Sequence, residues 1–266
     1  MTDTGMQTLP VAATASSGQI IQGEILMITK EQLRNDLAAM QIKPTDTLLI
    51  HSSMKSIGTV EGGADAVLDM LMDYFKDRGL LVFPTLTYRI LQEEHPRFDV
   101  RKTPSIVGIL SELFRQRPGV IRSLHPTHSV AAYGRDAAEF TAGHEKADTP
   151  MPKGSPWWKL LERRGKILFI GTGVCCNSFL HGMDEWLELP DMRSKTPRTL
   201  EIVDYDGRIL KMNLHCHALG RNAYYGCCET PFDAAGALIR GKFGNADCHL
   251  LDCRGMAKVF GLRLPD

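Results

Sequence analysis

Ser178, His181 and Asp184 stand three residues apart, with Glu185 directly after, in the run Asn177-Ser178-Phe179-Leu180-His181-Gly182-Met183-Asp184-Glu185. On a helix that turns about 100° per residue, a hydroxyl, an imidazole and a carboxylate at that spacing share one face, with His181 in the middle. Glu185, one turn beyond His181, is a second carboxylate within reach. A carboxylate that accepts one imidazole N–H fixes the tautomer and raises the basicity of the other nitrogen. That nitrogen can take a proton from an attacking amine or from the Ser178 hydroxyl, so the trio suits direct base catalysis or a serine nucleophile. A solvated helix face that carries these residues by chance has the same spacing, and spacing alone does not separate the readings.

Three further sets could carry chemistry. His51-Ser52-Ser53-Met54-Lys55-Ser56-Ile57-Gly58, ahead of Gly62-Gly63, puts hydroxyls, a lysine and glycines between a strand and a helix. Backbone N–H groups at a helix start favour phosphate, so this is an anion cradle or an ordinary turn; it lacks the GxxxxGK[ST] pattern of a Walker loop. His125-Pro126-Thr127-His128 brings two imidazoles close, but Pro126 breaks the helix that a metal-binding pair would use, and turn residues are the alternative. The tail carries His215, Cys216, His217, Cys227, Cys228, Cys248, His249 and Cys253 without the paired spacing of a zinc site. Buried free thiols account for that set better, and no metal is expected.

The elements that must position these residues alternate. Thr29 is an N-cap for a helix carrying Leu33, Leu37 and Met40. Thr47–Ile50 reads as a buried strand, Ala64–Phe75 as a helix, and Leu80–Phe83 as a second strand. A helix over Ser105–Arg117, a strand over Val130–Tyr133 and a helix over Trp157–Arg163 follow. The strand Lys166–Ile170 then leads into a helix over Asn177–Glu188 that bears the Ser-His-Asp set. Alternating strands and helices predict a layered α/β/α fold around a central mixed sheet, with ligands at the carboxyl ends of its strands. Leu200–Tyr205, Asp206-Gly207 and Arg208–Met212 predict a small β-hairpin towards the C-terminus, followed by a helical extension.

The 266 residues, 43% hydrophobic and 23% charged, are ordinary for a globular chain with a core of its own. We expect a flexible leader over 1–23 and a single domain over 24–266. Lys plus Arg and Asp plus Glu both number 31, so the chain has no global charge that would draw nucleic acid or an anionic membrane. The chain lacks both a signal-peptide pattern and the run of about 20 apolar residues needed to span a bilayer, which points to the cytoplasm. An odd cysteine count of 7 fits reduced thiols. The sequence leaves a homodimer open.

Taken in order, the runs LLIHSSMKSIGTVEGGADAVLDML, RFDVRKTPSIVGILSELFR, HPTHSVAAYG, GSPWWKLLERRGKILFIG and NSFLHGMDE resemble the aminoglycoside 3-N-acetyltransferase family. The resemblance runs from about residue 29 to 195 and more loosely to Cys253. It implies an acetyl-CoA-dependent acyltransferase, with acetyl-CoA as co-substrate, no metal, and a small-molecule amine as partner, an aminoglycoside acetylated at its 3-amino group. A Thr, a His and a Glu of the family fall on Ser178, His181 and Asp184, which the resemblance makes catalytic. Ser keeps the hydroxyl of Thr, whereas Asp shortens the carboxylate by one methylene and leaves Glu185 as its substitute. The resemblance also assigns Ser53, Lys55, Ser56 and Ser129 to coenzyme contacts.

An acidic cleft would suit a polycationic acceptor, and Glu93, Glu94, Asp99, Glu185, Glu188 and Asp191 flank the candidate site in sequence. Three other readings stay open. The same fold could acetylate a non-antibiotic amine, a Ser-His-Asp hydrolase could use the trio (against which the missing GxSxG elbow counts), or the chain could bind CoA without turnover.

Overall fold

The computed structural model describes residues 27–218 and 221–264, the side chains of 221–223 excepted. The expected leader over 1–23 lies outside the described residues.

The strands β1 (Thr47–Ser52), β2 (Leu80–Pro84), β4 (Ile121–Arg122), β5 (Val130–Gly134), β6 (Lys166–Ile170), β9 (Leu238–Phe243) and β10 (Ala246–Asp252) form one sheet in the order β4-β5-β2-β1-β6-β10-β9. The central β2-β1-β6 group is parallel, with Leu49 opposite Val82 on one side and Ile167 on the other. The pairs β2–β5 and β6–β10 are antiparallel, so the sheet is mixed as expected.

Strand side chains alternate between two apolar layers, as a two-residue pleat requires. Leu48, Ile50, Leu81, Phe83, Leu168 and Ile170 pack on one side against α1 (Lys30–Ala39), the short α2 (Met54–Ile57), α3 (Gly63–Phe75) and α4 (Ile109–Phe114). Leu49, Leu80, Val82, Ile167 and Phe169 face the other way. Their layer holds α5 (Ala137–Thr141), α6 (Pro156–Glu162), α7 (Phe179–Trp186), α8 (Glu229–Ala234) and α9 (Cys253–Val259). Thr29 caps α1 as anticipated, its hydroxyl accepting from Gln32 N at 3.2 Å. The helix expected over Ser105–Arg117 is shorter because Gly108, at φ +115°, breaks the backbone before it. The Glu112 side chain also turns back to accept from Ser105 N at 2.6 Å.

The anticipated hairpin is β7 (Arg198–Val203) with β8 (Ile209–Leu214), and β3 (Arg97–Asp99) extends it into a separate three-stranded sheet. Phe98, Leu200, Ile202, Met212 and Leu214 give that sheet a small core. The rest of the tail carries the expected helical extension in α8 and α9 and adds two strands to it. Residues from Leu238 to Asp252 are two strands that complete the main sheet, and Cys248 and Cys253 are buried there.

Candidate active site

The site is built at the carboxyl ends of β1 and β6, where the parallel strands deliver their loops. Ser53 N donates to Ile170 O at 2.8 Å, so the loop after β1 lies against the end of β6. Gly171 makes that approach feasible. Its φ is +61°, and a Cβ there would stand 2.2 Å from Ser56 Cβ. From Gly171 the chain passes through a short 3-10 turn, Val174–Cys176, into α7. Phe179, Leu180, Met183 and Trp186 anchor α7 in the core, which leaves His181 half-buried at the edge.

His181 does not meet a carboxylate directly, contrary to expectation. Its Nδ1 lies 2.8 Å from the Tyr225 hydroxyl, and that hydroxyl donates to Asp184 Oδ2 at 2.6 Å. Because the Tyr225 proton is committed to the carboxylate, its oxygen must accept from Nδ1–H, which leaves the lone pair on Nε2. Tyr224 donates to the other oxygen of Asp184. The Asp184 carboxylate therefore reaches His181 only through the Tyr225 hydroxyl. Burial and the neighbouring His217 hold the His181 imidazole down at about 3. Burial raises Asp184, against the hydrogen bonds from both tyrosines.

Glu185 does not substitute for Asp184. Its Oε1 is 2.5 Å from His217 Nε2 and accepts from Met151 N at 2.8 Å, while Oε2 accepts from Thr149 Oγ1 at 2.6 Å. His217 is brought in by a β-bridge between Arg193 and His217 just after β8, and its ring stacks on His181 at 5.0 Å. His128 completes the group, 4.9 Å from His217 and 6.1 Å from His181 by ring centroids. These three imidazoles line a cleft of about 610 Å³ together with Leu86, Tyr88, Leu91 and Arg198.

Ser178 is buried just before α7, where its carbonyl accepts from His181 N at 3.2 Å, and it is not among the described residues lining the cleft. Ser53 and Ser56 are half-buried and joined through their hydroxyls at 2.9 Å, with Lys55 exposed between them. They share the sheet edge with α7 but do not line the His181 cleft either. Ser129 needs correction. It is 0% exposed, donates to Thr85 O at 2.8 Å and accepts from Arg122 Nε at 3.1 Å, so it is a buried ligand of a buried arginine and has no surface to offer a coenzyme.

The HPTH segment is a turn held by His125 Nδ1, while the buried His125 Nε2 has no hydrogen-bond partner. His125 Nδ1 accepts from Thr127 N at 3.2 Å and His128 N at 2.9 Å, and its ring stacks on His144 at 4.3 Å. Among the described residues no group of three or more His, Cys, Asp or Glu is arranged to hold a metal ion. The expected acidic wall is also missing among the described residues of the cleft. Glu93, Glu94 and Glu188 are exposed, Asp99 caps its own turn, and Asp191 lines an adjoining cavity that shares Ser194 with the cleft. Sequence reasoning missed Tyr224 and Tyr225, which lie 40 and 41 residues from Asp184, and it flagged His217 only among zinc ligands.

The three-layer α/β fold, with His181 at the carboxyl end of its parallel strands, belongs with an acyltransferase family. The family model for aminoglycoside 3-N-acetyltransferases matches residues 49–262, and the chain belongs to that family, whose members use acetyl-CoA. The aminoglycoside N(3)-acetyltransferase VII of Streptomyces paromomycinus is 28% identical over 262 residues, covering 85% of this chain and 88% of the relative. The crystal structure of YokD from Bacillus subtilis matches with a TM-score of 0.76 at 26% identity, covering 88% of this chain and 92% of its own. AAC-IIIb, solved as a binary complex with CoASH, matches at 0.71 and 26% identity over 89% and 95% of the two chains. Among the described residues no helix is long and apolar enough to cross a membrane.

Proposed function

We propose that the chain transfers the acetyl group of acetyl-CoA to a primary amine of a small molecule held in the cleft, with His181 as general base. The tautomer of His181 carries this reading: Tyr225, itself held by Asp184, accepts from Nδ1–H and leaves Nε2 free to take a proton. The amine must lose a proton to attack the thioester carbon. Nε2 accepts it, and the Tyr225–Asp184 pair offsets the charge of the imidazolium that forms. The proton then returns to the departing thiolate of coenzyme A. Ser178, set back from the cleft, is poorly placed to be a covalent nucleophile, which favours direct transfer over the hydrolase reading. Ser53, Lys55 and Ser56, on the loop against β6, remain the candidates for coenzyme contact.

Aminoglycosides are the acceptors named for the relatives, and their 3-amino group is the first acceptor to test. Thiol release from acetyl-CoA with an amine panel, against a control without amine, tests the reading. Amine-dependent release is expected. Release of acetate in the absence of amine would replace transfer with hydrolysis.

A further inference from the structure

Two pairs of adjacent cysteines flank the relay of His181, Tyr225 and Asp184. Cys175 and Cys176 lie in the 3-10 turn Val174–Cys176 that leads from β6 towards α7. Cys227 and Cys228 close the 3-10 helix Arg221–Cys228, which carries Tyr224 and Tyr225. All seven cysteines are free thiols, and Cys228, Cys248 and Cys253 are buried. Cys175 and Cys176 are both exposed, with their sulfurs 3.9 Å apart. A thiol pair in contact and open to solvent meets the access requirement for exchange with a small disulfide. Cys227 is exposed as well, but its neighbour Cys228 is turned inwards, its thiol donating to Tyr224 O at 3.8 Å.

The turn is packed where a change in it reaches the site. The 3-10 helix Arg221–Cys228 rests on it, and a Cβ added to Gly226 would lie 3.7 Å from Cys175 Cβ. The start of α7 is held separately: Asn177 is fully buried, and its Oδ1 accepts from Phe179 N at 3.1 Å. Val174 is buried at the other end of the turn. A disulfide brings its sulfurs to about 2.05 Å, so closing this pair must rotate both side chains and the peptide between them. With Val174 and Asn177 fixed, that movement falls on the exposed face that supports Gly226. Tyr225 is the next residue back, and its hydroxyl makes the 2.8 Å contact with His181.

We propose that Cys175 and Cys176 are a dithiol modification site, closed to a vicinal disulfide by low-molecular-weight disulfides, and that closure lowers turnover by loosening Tyr225 from His181. Partial burial and the adjacent Cys175 push the Cys176 thiol up, so Cys175 makes the first attack. Its thiolate forms a mixed disulfide and expels one thiolate of the reagent. Cys176 then gives its proton to solvent and displaces the second. Two cysteine thiols are oxidised, and the reagent's disulfide is reduced to two thiols. The test incubates the protein with oxidised glutathione and maps its tryptic peptides by mass without reduction. After the reagent is removed, acetyl transfer to a panel of amines that includes gentamicin is followed by the mass of the acetylated product. Peptide 167–193 contains Cys175 and Cys176 and no other cysteine, so loss of two hydrogens from it reports the vicinal bond. The expected result is that loss, with turnover lowered about tenfold and restored by dithiothreitol. Cys175→Ser should keep parental turnover and escape the effect of glutathione. Glutathione adducts alone, a bond from this peptide to Cys227, or the vicinal bond with turnover unchanged each overturns the proposal. A protein that acetylates no amine overturns the acetyltransferase reading and the effect on turnover with it, while the peptide masses still decide the thiol site.

Discussion

At the scale of single residues, the site turns on how a short carboxylate reaches an imidazole. Asp184 is on the same helical face as His181, yet it reaches the imidazole only through the hydroxyl of Tyr225, at 2.6 Å and 2.8 Å. Tyr225→Phe removes that bridge while keeping the buried ring, so His181 loses its fixed tautomer with little change in packing. We expect kcat to fall by about tenfold to a hundredfold, within the range of positioned acid–base groups, with the acetyl-CoA KM nearly unchanged. Steady-state kinetics check this, and a variant with parental kcat would remove Tyr225 from the mechanism. Glu185 has a different duty. It fixes His217, whose ring stacks on His181 at 5.0 Å.

At the scale of elements, strand β6 and helix α7 were legible because their signals are local. A five-residue apolar run ends at Ile170, a glycine turn follows, and α7 then carries apolar residues on one face and the Ser-His-Asp set on its edge. Strands β9 and β10 were not legible: Arg240, Gly241, Lys242 and Asp247 interrupt the apolar pattern at the sheet edge. The tyrosine bridge and His217 come from far along the chain, and only tertiary packing brings them to α7. Ser129 shows the converse, a residue with a site-like neighbourhood and a structural role. With Thr85 it holds Arg122, whose guanidinium also donates to Thr103 O at 2.6 Å and stacks over Phe98 at 4.8 Å, tying the small sheet to the large one. Ser129→Ala leaves both partners with other hydrogen bonds, so it should cost about 1 kcal/mol in urea unfolding and leave the acetyl-CoA KM unchanged. A severalfold rise in that KM would restore Ser129 as a coenzyme contact.

At the scale of the whole molecule, buried histidines set the acid limit of the fold. Burial holds His51, His144 and His181 at about 3, and holds His125 and His128 well below their ordinary value. In the unfolded chain these imidazoles take up protons as the pH falls past about 6.5, whereas in the native protein they stay neutral. The unfolded state therefore binds more protons, and stability is lost progressively from about pH 6.5 downwards, at about 2 kcal/mol per fully buried imidazole by about pH 5. Two or three such groups would consume much of the stability of a typical domain. The urea midpoint should fall steeply between about pH 6.5 and 5, and a flat profile would mean that these rings are hydrated or protonated in the native state. Within that pH limit, the most direct test of the account is His181→Ala, assayed for amine-dependent thiol release and for acetyl-CoA binding by calorimetry. The account predicts turnover reduced by about a hundredfold or more, with coenzyme affinity within a few-fold of the parent. Turnover close to the parent's would contradict the role of His181 and with it the chemistry assigned to this site.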